Sequence, residues 1–249
     1  MAAHPDPVAR TPRAPVLTLA APMEHELIER KSRFLAALHP VRSVAEADAA
    51  LRAIRSAHPG ARHHCTALVL AEHIPGAGDP AGSAVTPALH RSSDDGEPSG
   101  TAGMPMLQSL LRADLVDVVA VVTRYFGGVK LGAGGLLRAY TAAVEEAIAA
   151  AGSAGLLRER VELEEWQIEV PLAESGIAEN AVRRFAESAG PDGRAEVLPT
   201  SYSSTSAQLA VLLSPQLAAP FAADVAAWSQ GRAMPVQGPS RSRDLPVIR

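Results

Sequence analysis

Residues Val116–Val122 read VDVVAVV, and no other stretch restricts the fold so tightly. Both alternating sets of side chains are apolar apart from Asp117, so the segment has to be a strand covered on both faces, in the middle of a sheet. A glycine-rich segment follows at Thr123–Gly135. A helix is expected next, from about Leu136 to Ala151, ended by Gly152. Upstream, Thr101 reads as the N-cap of a helix over Ala102–Ala113, with Pro105 in the first turn, where its missing N–H is harmless. Eight glycines fall between Asp94 and Tyr140: Gly96, Gly100, Gly103, Gly127, Gly128, Gly132, Gly134 and Gly135. Such a density weakens a chain unless backbone must approach something closely, so this stretch is the expected working site.

The remaining elements are shorter. The first fifteen residues are rich in Pro and Ala and read as a disordered tail. VLTLAAP and Arg33–Pro40 read as strands flanking a polar segment, Glu24–Ser32. Ser43 can cap a helix whose apolar positions run from Val44 to Ile54, stopped by Pro59-Gly60. Cys65–Leu70 is a strand, and Ile74–Arg91 lacks any period and reads as a flexible loop. Gly152–Gly155 is the best domain boundary. Beyond it come a strand (Val161–Pro171), a helix (Glu174–Ala189), two strands (Glu196–Tyr202 and Gln208–Leu213), a helix (Pro215–Gln230) and a possible last strand (Arg232–Val236). That β-α-β-β-α-β succession is ferredoxin-like. The expected organisation is therefore α+β in two domains: an N-terminal α/β unit over 16–152 and a ferredoxin-like unit over 156–237. Residues 1–15 and 238–249 are expected to be disordered tails.

Composition narrows the function classes. No run of about 18 apolar residues is present, so no transmembrane helix is expected, and the proline-bearing start does not read as a signal peptide. The single cysteine, Cys65, excludes an intramolecular disulfide and fits a reducing, cytoplasmic setting. A net charge of −4 gives no global case for nucleic-acid binding. Local charge does: between Asp117 and Glu145 the only charged residues are Arg124, Lys130 and Arg138. The chain uses arginine almost everywhere a cation occurs, and its only lysines are Lys31 and Lys130, which suggests that these two positions need a compact ammonium.

The glycine loop is neither a Walker A loop, since Lys130 precedes Leu131, nor a dinucleotide fingerprint. A strand, a glycine loop and a helix N-terminus with Arg124, Lys130 and Arg138 close by favour an anion. An RNA phosphate, a nucleotide and an acidic protein patch all fit. The acidic loop Asp94-Asp95-Gly96-Glu97 invites a divalent cation but lacks the alternating oxygens of an EF-hand. The preferred reading is that Asp94 or Asp95 caps a turn while the others pair with Arg124 or Lys130, and no metal is expected. His63, His64 and Cys65 offer no fourth zinc ligand. A Cys–His nucleophile competes there with a buried cysteine beside one cleft histidine, and the latter is preferred. Ser99 does not lie in a nucleophile elbow.

DDGEPSGTAG (Asp94–Gly103) followed by VVTRYFGGVKLGAGGLLRAY (Val121–Tyr140) closely resembles the signature of the IMPACT family, in its YigZ-like bacterial branch. KSRF (Lys31–Phe34) and ARHHC (Ala61–Cys65) resemble its upstream motifs. Residues 24–150 carry the resemblance strongly, and 160–236 more loosely. It implies a first domain similar to the fourth domain of elongation factor G, a ribosomal-protein-like fold, and a second similar to the fifth. It also implies a cytoplasmic role in regulating translation, with RNA, the ribosome or translation factors as partners; eukaryotic relatives restrain the amino-acid-starvation kinase, a stress response. No cofactor and no catalytic activity come with it. The expected anion or nucleic-acid contacts are Lys31, Arg33, His63, Arg124, Tyr125, Gly127, Gly128, Lys130, Gly132, Gly134, Gly135 and Arg138, with Asp94, Asp95, Glu97 and Thr101 forming the acidic loop. The alternative is a metal-dependent enzyme acting on a phosphorylated small molecule or phosphoester. Asp94, Asp95 and Glu97 would then hold the metal or act as base, and Arg124 and Lys130 would stabilise developing charge. A purely protein-binding role and the oligomeric state stay open.

Overall fold

The computed structural model describes residues 16–71, 87–189 and 194–247, which form two antiparallel sheets and five α-helices. The expected N-terminal tail and most of the Ile74–Arg91 loop lie outside the described residues. After a short strand, β1 (Val16–Leu19), the chain makes a hairpin of β2 (Met23–Glu29) and β3 (Ser32–Pro40). The polar segment Glu24–Ser32 is thus largely a strand. Glu24, Glu26 and Ile28 point to solvent while Met23, His25 and Leu27 are half-buried, a period of two that the charged residues mask in the sequence. The two turn residues Arg30 and Lys31 both sit at positive φ, +44° and +67°, as a tight two-residue hairpin loop requires. Neither is the Asn or Gly such a turn favours, so the tip bearing Lys31 is strained.

Helix α1 (Val44–Ala57) starts where expected, with Ser43 Oγ accepting from the Glu46 amide at 3.2 Å. It leads to β4 (His63–Ala71), which pairs with β5 (Pro87–Ser93). The end of the expected loop is therefore an edge strand from Pro87 on; its exposed residues need no apolar alternation, and none marks it. Then follow α2 (Gly103–Arg112), β6 (Val118–Tyr125) and α3 (Gly132–Ser153). The strand order is β2-β3-β6-β4-β5, which puts the valine strand in the centre, as its composition demands. Val118, Ala120 and Val122 face α2 and α3, packing with Phe34, Met106, Leu110, Tyr140 and Val144. Val119 and Val121 face α1 with Ala37, Leu68 and Ile54.

The second sheet is built on β7 (Leu157–Pro171), longer than Val161–Pro171, followed by α4 (Ser175–Ser188), β8 (Ala195–Val197), β9 (Ser201–Tyr202), β10 (Ser206–Leu213), α5 (Ala218–Ser229) and β11 (Val236–Pro246). The order β11-β7-β10-β8 keeps β7 and β10 central, with α4 and α5 packed over Ile168, Val170, Leu209 and Val211. Two expectations fail here. Residues 238–246 form a strand, not a tail. Their polar sequence pairs with the acidic strand β7, where Arg241 meets Glu165 and Ser242 meets Glu162, while Arg243 reaches Glu196 on β8. And β1 joins the second sheet instead of the first, because β10 covers only Glu164–Pro171 and leaves Leu157–Arg160 of that edge for β1.

The two sheets are locked by a four-residue ion network. Arg160 on β7, its side chain 2% exposed, bonds Asp117 at 2.5 Å and Asp244 on β11 at 2.7 Å. Arg42 reaches the same two carboxylates, at 3.4 Å and 2.7 Å. Asp117 also accepts from the Ala71 amide, which explains the one charge in the valine strand's run. Removing one partner of such a pair strands a buried charge. A chain cut after Gln237 loses both β11 and Asp244. It is expected to lose at least about 3–5 kcal/mol in urea unfolding; an unchanged midpoint would mean that β11 contributes nothing.

Candidate functional site

The acidic loop between β5 and α2 is a bracing element. Asp94 is the cap of α2: its carboxylate accepts from the amides of Gly100 (2.8 Å), Ala102 (3.0 Å) and Gly103 (2.8 Å). Thr101, expected in that role, instead donates its hydroxyl to the Pro98 carbonyl at 2.6 Å. Burial acts to raise the Asp94 carboxyl, but the three amides outweigh it and hold it below its ordinary value. Asp95, in the left-handed region at φ +43°, bonds Arg55 and the His64 amide, both at 2.6 Å, while its carbonyl faces His63 Nδ1 at 2.9 Å. Glu97 is buried, pairs with Arg124 at 2.6 Å and accepts from the Tyr140 hydroxyl at 2.8 Å.

All three carboxylates are thus held by amides and cations of the same chain, with Arg55 in the place expected of Lys130. Among the described residues no group of three or more His, Cys, Asp or Glu side chains is arranged to hold a metal ion. Cys65 is buried, its thiol donating to the Asp94 carbonyl at 3.0 Å, and burial pushes it up to about 12. A thiolate nucleophile is therefore excluded near neutral pH. His64 faces the α1 side against Thr123 Oγ1 at 3.0 Å, and burial together with the nearby Arg55 lowers its proton affinity.

The cationic residues divide into two sets. Arg124 is 7% exposed and neutralised by Glu97, so it cannot meet an anion as expected from the sequence. Arg33 pairs with Glu26 at 2.6 Å and lies over the Tyr125 ring, whose hydroxyl meets His58 at 3.1 Å. Lys31, Lys130 and Arg138 are exposed and have no ion pair among the described residues. Lys31 is drawn to the glycine loop by Gly127, where a Cβ would come within 2.0 Å of the Lys31 backbone. Gly132, Gly134 and Gly135 are not loop residues but the first turn of α3, four residues earlier than expected. No side chain caps that helix, whereas Ser43 caps α1 and Asp94 caps α2. The sequence reading passed over Arg55, Tyr140 and Phe126, the last 54% exposed beside Gly127.

The fold and site define a two-sheet α/β protein whose acidic and glycine loops are locked together at one end of the first sheet. Residues 30–148 match the Impact N-terminal domain. The chain is 45% identical over 125 residues to the IMPACT family member YvyE of Bacillus subtilis, and 43% identical over 119 residues to the IMPACT family member YigZ of Escherichia coli. These matches take in 50% and 48% of this chain and 52% and 53% of those proteins, so the chain spans about half the length of the curated relatives it matches. The crystal structure of a hypothetical protein, 30% identical, superposes with a TM-score of 0.51 over 89% of this chain and 96% of that one. The chain belongs to the IMPACT family.

Two outcomes follow from this geometry. Asp94 and His64 both have folded-state values below their ordinary ones, 3.8 and 6.5, so the unfolded chain binds more protons in each window. Their stabilisation is present above those ordinary values and is lost as pH falls through the lower folded ones. Asp94→Ala should lower stability by about 1–2 kcal/mol at neutral pH and flatten the acid limb below pH 3.8. A urea series across pH reads both. Native Cys65 should resist alkylation at pH 8 and react only at the rate of unfolding; rapid labelling would contradict its burial.

Proposed function

We propose that this protein regulates translation by binding RNA, free or within the ribosome, through Lys31, Lys130, Arg138 and the amides at the start of α3. The observation that carries this reading is the set of three exposed cations without an ion pair among the described residues near an uncapped helix N-terminus, two of them, Lys130 and Arg138, in a stretch with no acid between Asp117 and Glu145. A helix start and ammonium groups favour phosphate oxygens and carry no sequence preference. Family membership supports the translation setting, and so does the reading of the two units as relatives of the fourth and fifth domains of elongation factor G. On that reading the second unit is ferredoxin-like, takes in β1 and β11, and adjoins a first unit ending near Gly152. The engagement of Asp94, Asp95 and Glu97 by internal partners favours binding over metal-dependent phosphoester chemistry.

Co-sedimentation with ribosomes and free RNA over a salt series tests the proposal. Binding should weaken steeply with salt, and Lys130→Ala/Arg138→Ala should flatten the slope by about 0.7 per lost contact for single strands. Absence of binding at low salt, or a double variant that binds as wild type does, would sink it.

A further inference from the structure

The RNA-binding reading leaves open what form of nucleic acid the site takes, and an aromatic column beside the glycine loop bears on this. Four side chains follow one another from the core to the surface. Tyr140, fully buried, meets the buried Phe34 ring edge-on at 5.2 Å, with an interplanar angle of 87°. The Arg124 guanidinium lies over Phe34 at 5.4 Å and over Phe126 at 5.7 Å. Exposure along the column is 0%, 0%, 7% and 54%. Glu97 fixes the guanidinium from the side, so the outermost ring rests on a support with little freedom to move. An exposed aromatic held this rigidly loses little entropy when a flat partner is added to it.

We infer that Phe126 is a stacking platform for an unpaired base, so that the site takes single-stranded nucleic acid and not a duplex. This rests on the phosphate-binding reading above and adds to it. Phe126 adjoins Gly127, whose backbone abuts Lys31, and Lys130 follows three residues later; a base on the ring therefore has its own backbone next to these cations. At Gly128, φ +85°, nothing lies within 4 Å of the missing Cβ, which leaves the approach beside the ring open. Aromatic rings interleaved with cations are the usual means of holding single strands, whereas bases within a duplex are already stacked and cannot reach such a ring.

The test is fluorescence anisotropy with a labelled 12-nucleotide single strand, as RNA and as DNA, a duplex of the same sequence, and an abasic strand of the same length. Wild type should bind the base-bearing strands about tenfold more tightly than the abasic strand or the duplex. Phe126→Ala should lose about tenfold on base-bearing strands with an unchanged salt slope, and Phe126→Trp should retain binding. Lys130→Ala should instead change the slope. The RNA and DNA arms decide whether the ribose hydroxyl is read. Equal binding of abasic or duplex probes, or undiminished binding by Phe126→Ala, would overturn the stacking inference alone. If wild type binds none of the probes at low salt, the phosphate-binding reading falls, and this inference falls with it.

Discussion

The site end of the first sheet depends on the buried pair of Glu97 and Arg124. Neither charge could stay in that environment alone, and each removes the other's cost while Tyr140 adds a hydrogen bond. Through this pair the loop before α2, the end of β6 and the middle of α3 become one unit. The Asp94 cap and the Asp95–Arg55 pair extend the same bracing to α2, β4 and α1. What stays uncompensated is then well defined: a strained hairpin tip, a glycine loop and a bare helix start.

The second organising constraint lies between the sheets. Asp117 and Arg160 are buried deeply enough that mutual neutralisation is obligatory, and Arg42 and Asp244 balance the remaining charge from the rim. Two basic and two acidic groups leave the cluster neutral overall. The relative placement of the sheets is therefore fixed by directional contacts as well as by the β1 backbone, which pairs with β7 and also touches Leu115.

Much of the fold was legible in the sequence because apolar periodicity sets it: the valine strand, α1 with its Ser43 cap, and the strands and helices from β7 to α5, whereas the last strand, expected at Arg232–Val236, lies at Val236–Pro246. The strands that were missed share one physical cause. β2, β5 and β11 are edge strands whose polar residues are satisfied by solvent or by charged neighbours, so no apolar pattern announces them. That the acidic and glycine loops come together was foreseeable from residue types alone, since carboxylates in one call for cations in the other. Which cations stay free was not, because Arg124 and Lys130 look alike in a sequence and only the packing of Glu97 and the two phenylalanines separates them. Phe126 was passed over for a similar reason: an isolated aromatic after a buried strand reads as core.

The position of β11 in the chain has a consequence for synthesis. A ribosome releases β1 first, yet its strand partner β7 follows some 140 residues later, and Asp244 later still. The first sheet contains all its own strands by Tyr125 and can condense while the remainder is still being made. Asp117 would then sit at its rim, exposed to water, until Arg160 and finally Asp244 arrive. Docking of the second sheet is thus the closing event of biogenesis, and the nascent chain passes through a stage in which the glycine-loop end of the first sheet is already formed while the other half of the molecule is not.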